Sequence, residues 1–502
     1  MLASRAFGSA TASGQPQRWA DSATRKHVIA SYVARRPVGS RPDLLPVALR
    51  HRPTGNQPNP TRNLEKFVTA RQLTADDIDA LVLPDRIHGK ALTDPAIFDA
   101  EMEIIFERGW AYIGHESEVP NPGDFRTSFI GRQPIIFSRD AAGEIHVVMN
   151  RCTHRAAILC TEESGNTRTF RCPYHLWTFR NSGKLIGVPY PDGYGPDFRK
   201  SDFDLPKPPR VGFYRGFIFA SLAEDGPGID EHLGPLVKEQ IDLFLDLSPL
   251  GEIECRAGVN RFYFRGNWKL QLDNTADFYH VNLLHRSLLD VLAEQQGIDI
   301  SEVSSETSEA RNVYLGSGHS MMDIRPYNRL HHDSVRDHVL RGGGPQGDYI
   351  QSLKDNHGEE RADELMMAGG SHMGVWPNLG VLSGMVRRLR PISVDLTEVI
   401  LTPALLKGVP DAVNTARLRG HEGFFPPAGM GGSDDQDVFE RIQMGLAANV
   451  NPWLYLGRGM HRETHHEDGS VTAQVTDEAN ARGLYHYWRD VLSKNVHDTI
   501  GV

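Results

Sequence analysis

The sequence predicts an α+β protein, in which a small all-β module accompanies a larger mixed body, on three observations. The chain runs to 502 residues, more than one ordinary domain holds. Residues 111–225 break into short strand-like runs separated by Gly, Asn and Pro turns. From about residue 230 onward, helical periodicity alternates with paired apolar runs.

Element by element, periodic structure begins at "TADDIDALV" (74–82). "TDPAIFDAEMEIIFERGW" (93–110) predicts a helix: Thr93 or Asp94 caps it, Pro95 suits its first turn, and Ile97, Met102, Ile105 and Phe106 form an apolar stripe. Strands follow in "FIGRQPIIFSRD", "EIHVVMNRC", "RTFRCPYHLWTF" and "RGFIFASLA". "GIDEHLGPLVKEQIDLFL" reads as helix, "EIECRAGVNRFYFRGNW" as strand, and "DNTADFYHVNLLHRSLLDVL" as a strong helix. "MVRRLRPISVDLTEVILTPALL" (385–406) predicts two paired strands turning at Pro391. "SDDQDVFERIQMGL" (433–446) predicts a helix capped by its Ser, with acids in the first turn. Asp468-Gly469 in "HRETHHEDGS" marks a hairpin turn, and the three His there lack metal-binding order. "HHDSVRDH" (331–338) reads as a loop or lid.

Composition narrows the function classes. Hydrophobic residues at 39% and charged ones at 24% suit a globular chain with a sizeable core. No run approaches the roughly 18 apolar residues that a membrane span needs. Residues 1–62 hold ten Lys/Arg and two acids, which leaves 44 basic and 62 acidic residues beyond them. An acidic body argues against a nucleic-acid substrate. The basic leader has no apolar h-region and is not a secretory signal. Residues 1–85 are expected to form a disordered or peripheral leader, a reading preferred here to a transit peptide. Gly-rich "RGGGPQG" (341–347) has no GxxxxGK phosphate-loop spacing, so no nucleotide site is expected. Four Cys in so long a chain make no disulfide framework and point to a reducing, cytoplasmic compartment.

Two of those Cys sit in "NRCTHRAAILCTEESGNTRTFRCPYHLWTF" (150–179), as Cys152-x-His154 and Cys172-x-x-His175. Structural zinc is the bland reading of a Cys₂His₂ set. Zinc fingers, however, put both Cys in one step and both His in the other. Here each step mixes them. A [2Fe–2S] centre that gives two thiolates to one iron and two imidazoles to the other needs that mixing.

The stretch resembles the Rieske motif in its oxygenase form, "CxHRGxxLC…CPYHGWTF", departing at Ala156 and Leu176, where the family often has Gly. The resemblance implies that Cys152 and Cys172 hold the inner iron, His154 and His175 the outer one, and that Cys160 is packing.

A second set lies in "NWKLQLDNTADFYHVNLLH" (267–285). Asp277 and His280 are i, i+3 on one helical face. His285 lies about 140° around an ideal helix from His280, so both reach one metal only if the helix is kinked or widened. Two His and a carboxylate on one side of Fe(II) leave positions open for dioxygen and substrate. The stretch is similar to the ring-hydroxylating oxygenase segment "NWK…EN…DxYHxxxxH", with Asp273 where the family has Glu. The resemblance, which covers roughly residues 86–500, makes His280 and His285 ligands of a mononuclear Fe(II), Asp277 an electron-transfer bridge reaching a neighbouring subunit's cluster, and Asn274 part of the catalytic set. "FFPPAGMGGSDDQDVFERIQMG" (424–445) resembles the family's late segment, in which the second acid of the "DD" pair binds iron. That makes Asp435 the third ligand, with Asp434 the fallback.

The resemblance further implies a Rieske [2Fe–2S] domain at 112–228, inserted into a catalytic domain (86–111 and 229–502) built as a helix-flanked antiparallel sheet. It implies a terminal oxygenase that hydroxylates an aromatic ring, with a ferredoxin or an NAD(P)H-dependent flavin reductase, a small beta subunit and a homotrimeric ring (α3 or α3β3) as partners. "YHVNLLHRS" looks like the salicylate- and terephthalate-type oxygenases, which favours an aromatic carboxylate over a neutral hydrocarbon. A carboxylate would want an Arg, and Arg325, Arg329, Arg387, Arg388 and Arg390 are offered, the favoured three being Arg325, Arg329 and Arg390. Mono-oxygenation and O-demethylation use the same parts. A Rieske electron carrier and a zinc scaffold are the non-catalytic alternatives.

Overall fold

Nine strands form one antiparallel sheet among the residues that the computed structural model describes, which are 73–296, 301–331 and 346–496. The leader up to residue 72 and most of 331–338 and 341–347 lie outside the described residues. Across the sheet the order is Asn260–Phe264, Leu396–Pro403, Met385–Ser393, Leu379–Leu382, His372–Val375, His319–Asp323, Arg311–Gly316, Val471–Gln474 and Thr464–His465. The β module carries three smaller sheets, with strands such as Gln133–Arg139 and Ile145–Met149 pairing antiparallel.

Helices flank the large sheet. Helix Ala479–Asn495 packs on strands Arg311–Gly316 and His319–Asp323. Its buried Ala481, Leu484, Tyr485, Trp488 and Leu492 recur at helical spacing on one stripe. Helix Pro95–Ala100 and the π-helix Glu101–Glu107 share that core with Phe264 and Trp268. Fully burying Phe106 or Phe264 contributes about 2 kcal/mol apiece. In the same core the Glu101 carboxylate pairs with Lys269 and accepts hydrogen bonds from Trp268 Nε1 at 2.9 Å and Trp488 Nε1 at 2.7 Å. A fully buried charge persists only when paired and hydrogen-bonded in this way, so one carboxylate ties three helices together.

Several expectations need correction. The leader ends earlier than residue 85: Thr74 forms a capping box on helix Ala75–Asp79, and Ile78 is wholly buried against the core. The helix expected at 93–110 is split, because Asp94 leaves helical backbone to cap Ala96 N–H, and the chain then widens into the π-helix. Pro391 is no turn; it pairs opposite Thr397 inside the strand, and the chain reverses at 394–395. Ser433 caps nothing, since helix Gly432–Gly445 already includes it and its hydroxyl donates back to Gly429 O at 3.1 Å. Helix Ile229–Asp246 kinks at Gly234, whose φ of +66° precedes Pro235. No helix among the described residues is long and apolar enough to cross a membrane.

Candidate active site and metal cradles

Two loops of the β module are built alike. Cys152 N–H donates to Ala157 O and Ala156 N–H to Cys152 O, at 2.9 and 3.0 Å; Cys172 N–H donates to Trp177 O and Leu176 N–H to Cys172 O, at 2.8 and 3.1 Å. Each closure needs a left-handed residue just past the His, and Ala156 (φ +59°) and Leu176 (φ +60°) supply it. A side chain there costs about 1 kcal/mol that glycine does not incur. The loops bring the two buried thiols side by side, and burial, with the neighbouring thiol, pushes Cys152 above the ordinary thiol range. The His154 and His175 rings lie 4.6 Å apart, and Trp177 stacks on His154 at 4.8 Å. Cys160 stands outside this set: its sulfur meets Glu162, and burial pushes its thiol up to about 11.

The second cradle depends on a broken helix. The segment expected as one helix from Asp273 divides into Trp268–Asn274, an open turn through 275–280, Val281–Leu284 and Arg286–Gln296. His280 and His285 flank the short middle piece, and their rings lie 5.2 Å apart. The i, i+3 contact of Asp277 with His280 forms in the turn: His280 Nδ1 lies 2.8 Å from Asp277 Oδ2. Asp435, in the first turn of its helix, puts Oδ1 3.2 Å from His285 Nε2 and 3.6 Å from His280 Nε2. Asp434 takes a different post, its Oδ2 3.4 Å from His285 Nδ1. Asn274 Nδ2 lies 3.3 Å from His280 Nε2 and 3.5 Å from Asp435 Oδ1. Burial pulls His280 down, but the hydrogen bond and charge of Asp277, then Asp435, raise it above the ordinary imidazole value. Burial, with Asp277 close by, pushes Asp273 up to about 8.

These groups open into a cavity of about 560 Å³ with mainly apolar walls, among them Leu243, Phe244, Val281, Leu289 and Met322. Compared with known proteins, residues 109–206 match the Rieske [2Fe-2S] domain, and 244–494 match the ring hydroxylating alpha subunit (catalytic domain). The chain belongs to the ring-hydroxylating alpha subunits. It is 34% identical to the 2-halobenzoate 1,2-dioxygenase large subunit of Burkholderia cepacia, over 80% of this chain and 88% of that one. It is 35% identical to the anthranilate 1,2-dioxygenase large subunit of Acinetobacter baylyi, over 80% and 87%. A solved naphthalene 1,2-dioxygenase from Rhodococcus sp. has a similar fold, with a TM-score of 0.71 and 27% identity over 81% of this chain and 94% of that one.

As such an alpha subunit the chain is the terminal oxygenase of a multicomponent system that draws electrons from partner proteins, and the family uses a Rieske cluster and a mononuclear iron. Its residues fit both groups. His154 Nδ1 and His175 Nδ1 are buried with no hydrogen-bond partner, beside two free buried thiols, which is the donor set of a mixed-ligand [2Fe–2S] centre. His285 Nε2 is likewise buried and without a hydrogen bond, and the three donors of His280, His285 and Asp435 lie within 4.8 Å of one another, close enough for one ion.

The arginines divide sharply. Arg325 pairs with Asp323 and Glu239, and Arg390 pairs with Glu398 while covering Phe129; neither lines the cavity. Arg329 is exposed on its helix, away from the lining. Arg388 binds Ile113 O and Ser128 Oγ, pinning the β module to the large sheet. Those four are corrections to the expected substrate contacts, since carboxylates or backbone already hold three of them and the fourth faces outward. Arg387 does line the cavity. So do Arg417, His372 and His421, which the sequence reading missed. The signal for Arg417 and His421 was their spacing with Phe424, i, i+4, i+7 on one face of helix Asp411–Phe424; His372, at the start of strand His372–Val375, had none.

Proposed function

We propose that this alpha subunit adds dioxygen to the ring of an aromatic carboxylic acid, with His280, His285 and Asp435 holding the mononuclear iron and Cys152, His154, Cys172 and His175 the cluster. One observation carries the reading: a two-His, one-carboxylate donor set opens into an apolar cavity whose wall bears buried arginine. The named activities of the 2-halobenzoate and anthranilate relatives support the same class of acid.

Iron at the His280 site supplies dioxygen binding and reduction once electrons reach it. The chain's own residues do the rest. Asp277 accepts from His280 Nδ1, which leaves Nε2 free to hold an ion when one is bound, and Asp434 lies against His285 Nδ1 in the same way. Apolar walls exclude water and hold the ring. Asp277, with a side chain 35% exposed, remains reachable from outside the subunit and serves as the bridge to a neighbour's cluster, with Asn274 beside it. The assembly is a homotrimeric ring, α3 or α3β3 with a small beta subunit, in the cytoplasm, fed by a ferredoxin or an NAD(P)H-dependent flavin reductase. The Rieske domain occupies 112–228, and the flanking segments form the catalytic domain.

Product analysis under labelled dioxygen, with benzoate-class acids set against naphthalene and biphenyl, tests this. Two labelled oxygens in a dihydrodiol acid are expected. Oxidation of the neutral hydrocarbons alone rejects the carboxylate, and a single labelled oxygen marks a mono-oxygenase.

A further inference from the structure

We propose that Arg387 and Arg417 are the specificity-determining cations of the cavity and hold the carboxylate of the substrate, an inference that rests on the functional reading above. They are the cavity's only Lys or Arg among the described residues. Arg387 is 6% exposed; its Nη2 donates to Thr275 Oγ1 at 2.7 Å, while Nε, buried, has no partner. Arg417 is half-buried; its Nη2 donates to Ala404 O at 3.2 Å, and its Nε is also sealed from water without a partner. Neither meets a carboxylate within ion-pair distance among the described residues. The acids that line the cavity, Asp277 and Asp435, are already committed to the two His.

A charge drawn out of water with no counter-ion opposes folding, so two of them lining one cavity need an explanation. Burial pulls Arg387 down to about 10, against an upward pull from the charge of Asp435, and pulls Arg417 below its ordinary value. The backbone leaves them room. A side chain at Gly380 would come within 3.3 Å of Arg387 Nε, and one at Gly384 within 3.7 Å of Arg417 Nη2. Arg417, His421 and Phe424 share one helical face, and the Phe424 ring sits 5.6 Å from the His285 ring. Seven residues of helix place Arg417 about 10 Å along the axis from Phe424, so one helical face runs from the cation to the ring beside the metal donors. A guanidinium fork matches a carboxylate, and the charge-assisted bonds it offers are among the strongest a site can make.

The test is calorimetric titration of benzoate, and of the neutral amide benzamide, into anaerobic holoenzyme, where no turnover occurs. Arg387→Gln and Arg417→Gln are each expected to weaken benzoate by about tenfold or more and to leave benzamide almost unchanged. Arg387→Lys keeps the charge without the fork and is expected to weaken benzoate as well, which preserves the test if the Gln variant does not fold. Arg329→Gln is the control and should bind as the parent does. Unchanged benzoate affinity in both Gln variants overturns the proposal, as does an equal loss for benzamide, which would mark a purely structural role. An enzyme that oxidises benzoate while its variants bind it normally sinks this inference alone; a parent that oxidises only neutral rings sinks the functional reading.

Discussion

The Asp277 carboxylate accepts from His280 Nδ1 at 2.8 Å, and this contact decides which nitrogen of the imidazole turns toward Asp435. Losing such a partner of a ligating His typically costs 10- to 100-fold in metal affinity or activity. Asp277→Asn is therefore expected to lower turnover by about that factor while the cluster's visible bands persist. Stopped-flow reoxidation of the reduced cluster, with substrate and dioxygen present, should slow in parallel. Unchanged reoxidation would remove Asp277 from the electron path.

Adjacent acids hold different posts, and metal analysis can separate them. Asp435→Asn is expected to lose the mononuclear iron yet retain acid-labile sulfide, because its Oδ1 lies nearest both Nε2 atoms. Asp434→Asn, which only backs His285 Nδ1, is expected to keep that iron at an affinity about 10- to 100-fold lower. The reverse result would exchange their roles.

The buried Glu101–Lys269 pair is a stability switch. Glu101→Gln leaves the Lys269 ammonium uncompensated beside two Trp rings, a change expected to cost about 3–5 kcal/mol. Adding Lys269→Met should recover part of that loss in the urea midpoint. A double variant weaker than the single would show that the charge was not the cause.

Acid should loosen the fold through a pair of buried imidazoles. His319 Nδ1 accepts from Trp376 N–H at 3.0 Å, and its Nε2–H donates to His232 O at 2.8 Å, so neither nitrogen has room for another proton. Burial holds His319 down at about 4 and His232 at about 3. Both lie below the unfolded value of about 6.5. The unfolded chain therefore takes up protons that the folded chain refuses, and the stability these groups give is complete above pH ~6.5 and is lost as pH falls toward 4. The loss at pH ~4.5 is on the order of 2 kcal/mol per group. Thermal unfolding from pH 7 to 4.5 should show a shallower slope in His319→Gln; an unchanged slope would assign the acid response elsewhere.

How far the sequence disclosed all this depended on whether a residue's meaning was carried by its own chemistry. The Cys/His steps and the YH…H run were legible because ligand types at fixed spacing admit few uses, and helical geometry alone called for a kink or widening near His280 and His285; the breaks fall on either side of the turn Val281–Leu284 that joins them. Strand and helix boundaries slipped where a backbone detail decided them, as at Asp94 and Pro391. The arginines misled because an isolated guanidinium says nothing of its partner. Asp323, Glu239 and Glu398 claim Arg325 and Arg390 only once the sheet is folded. Arg417 lies far along the chain from either motif and reaches the cavity only because helix Asp411–Phe424 presents it.

The left-handed turns at Ala156 and Leu176 have a practical meaning for anyone who would use this protein as a reagent. The loops that would grip the inorganic core each carry a side chain where the backbone is left-handed, a local strain that works against their hold. Glycine at both places would keep the same turn while removing about 1 kcal/mol of cost at each, which makes residues 156 and 176 the natural first choices for extending shelf life.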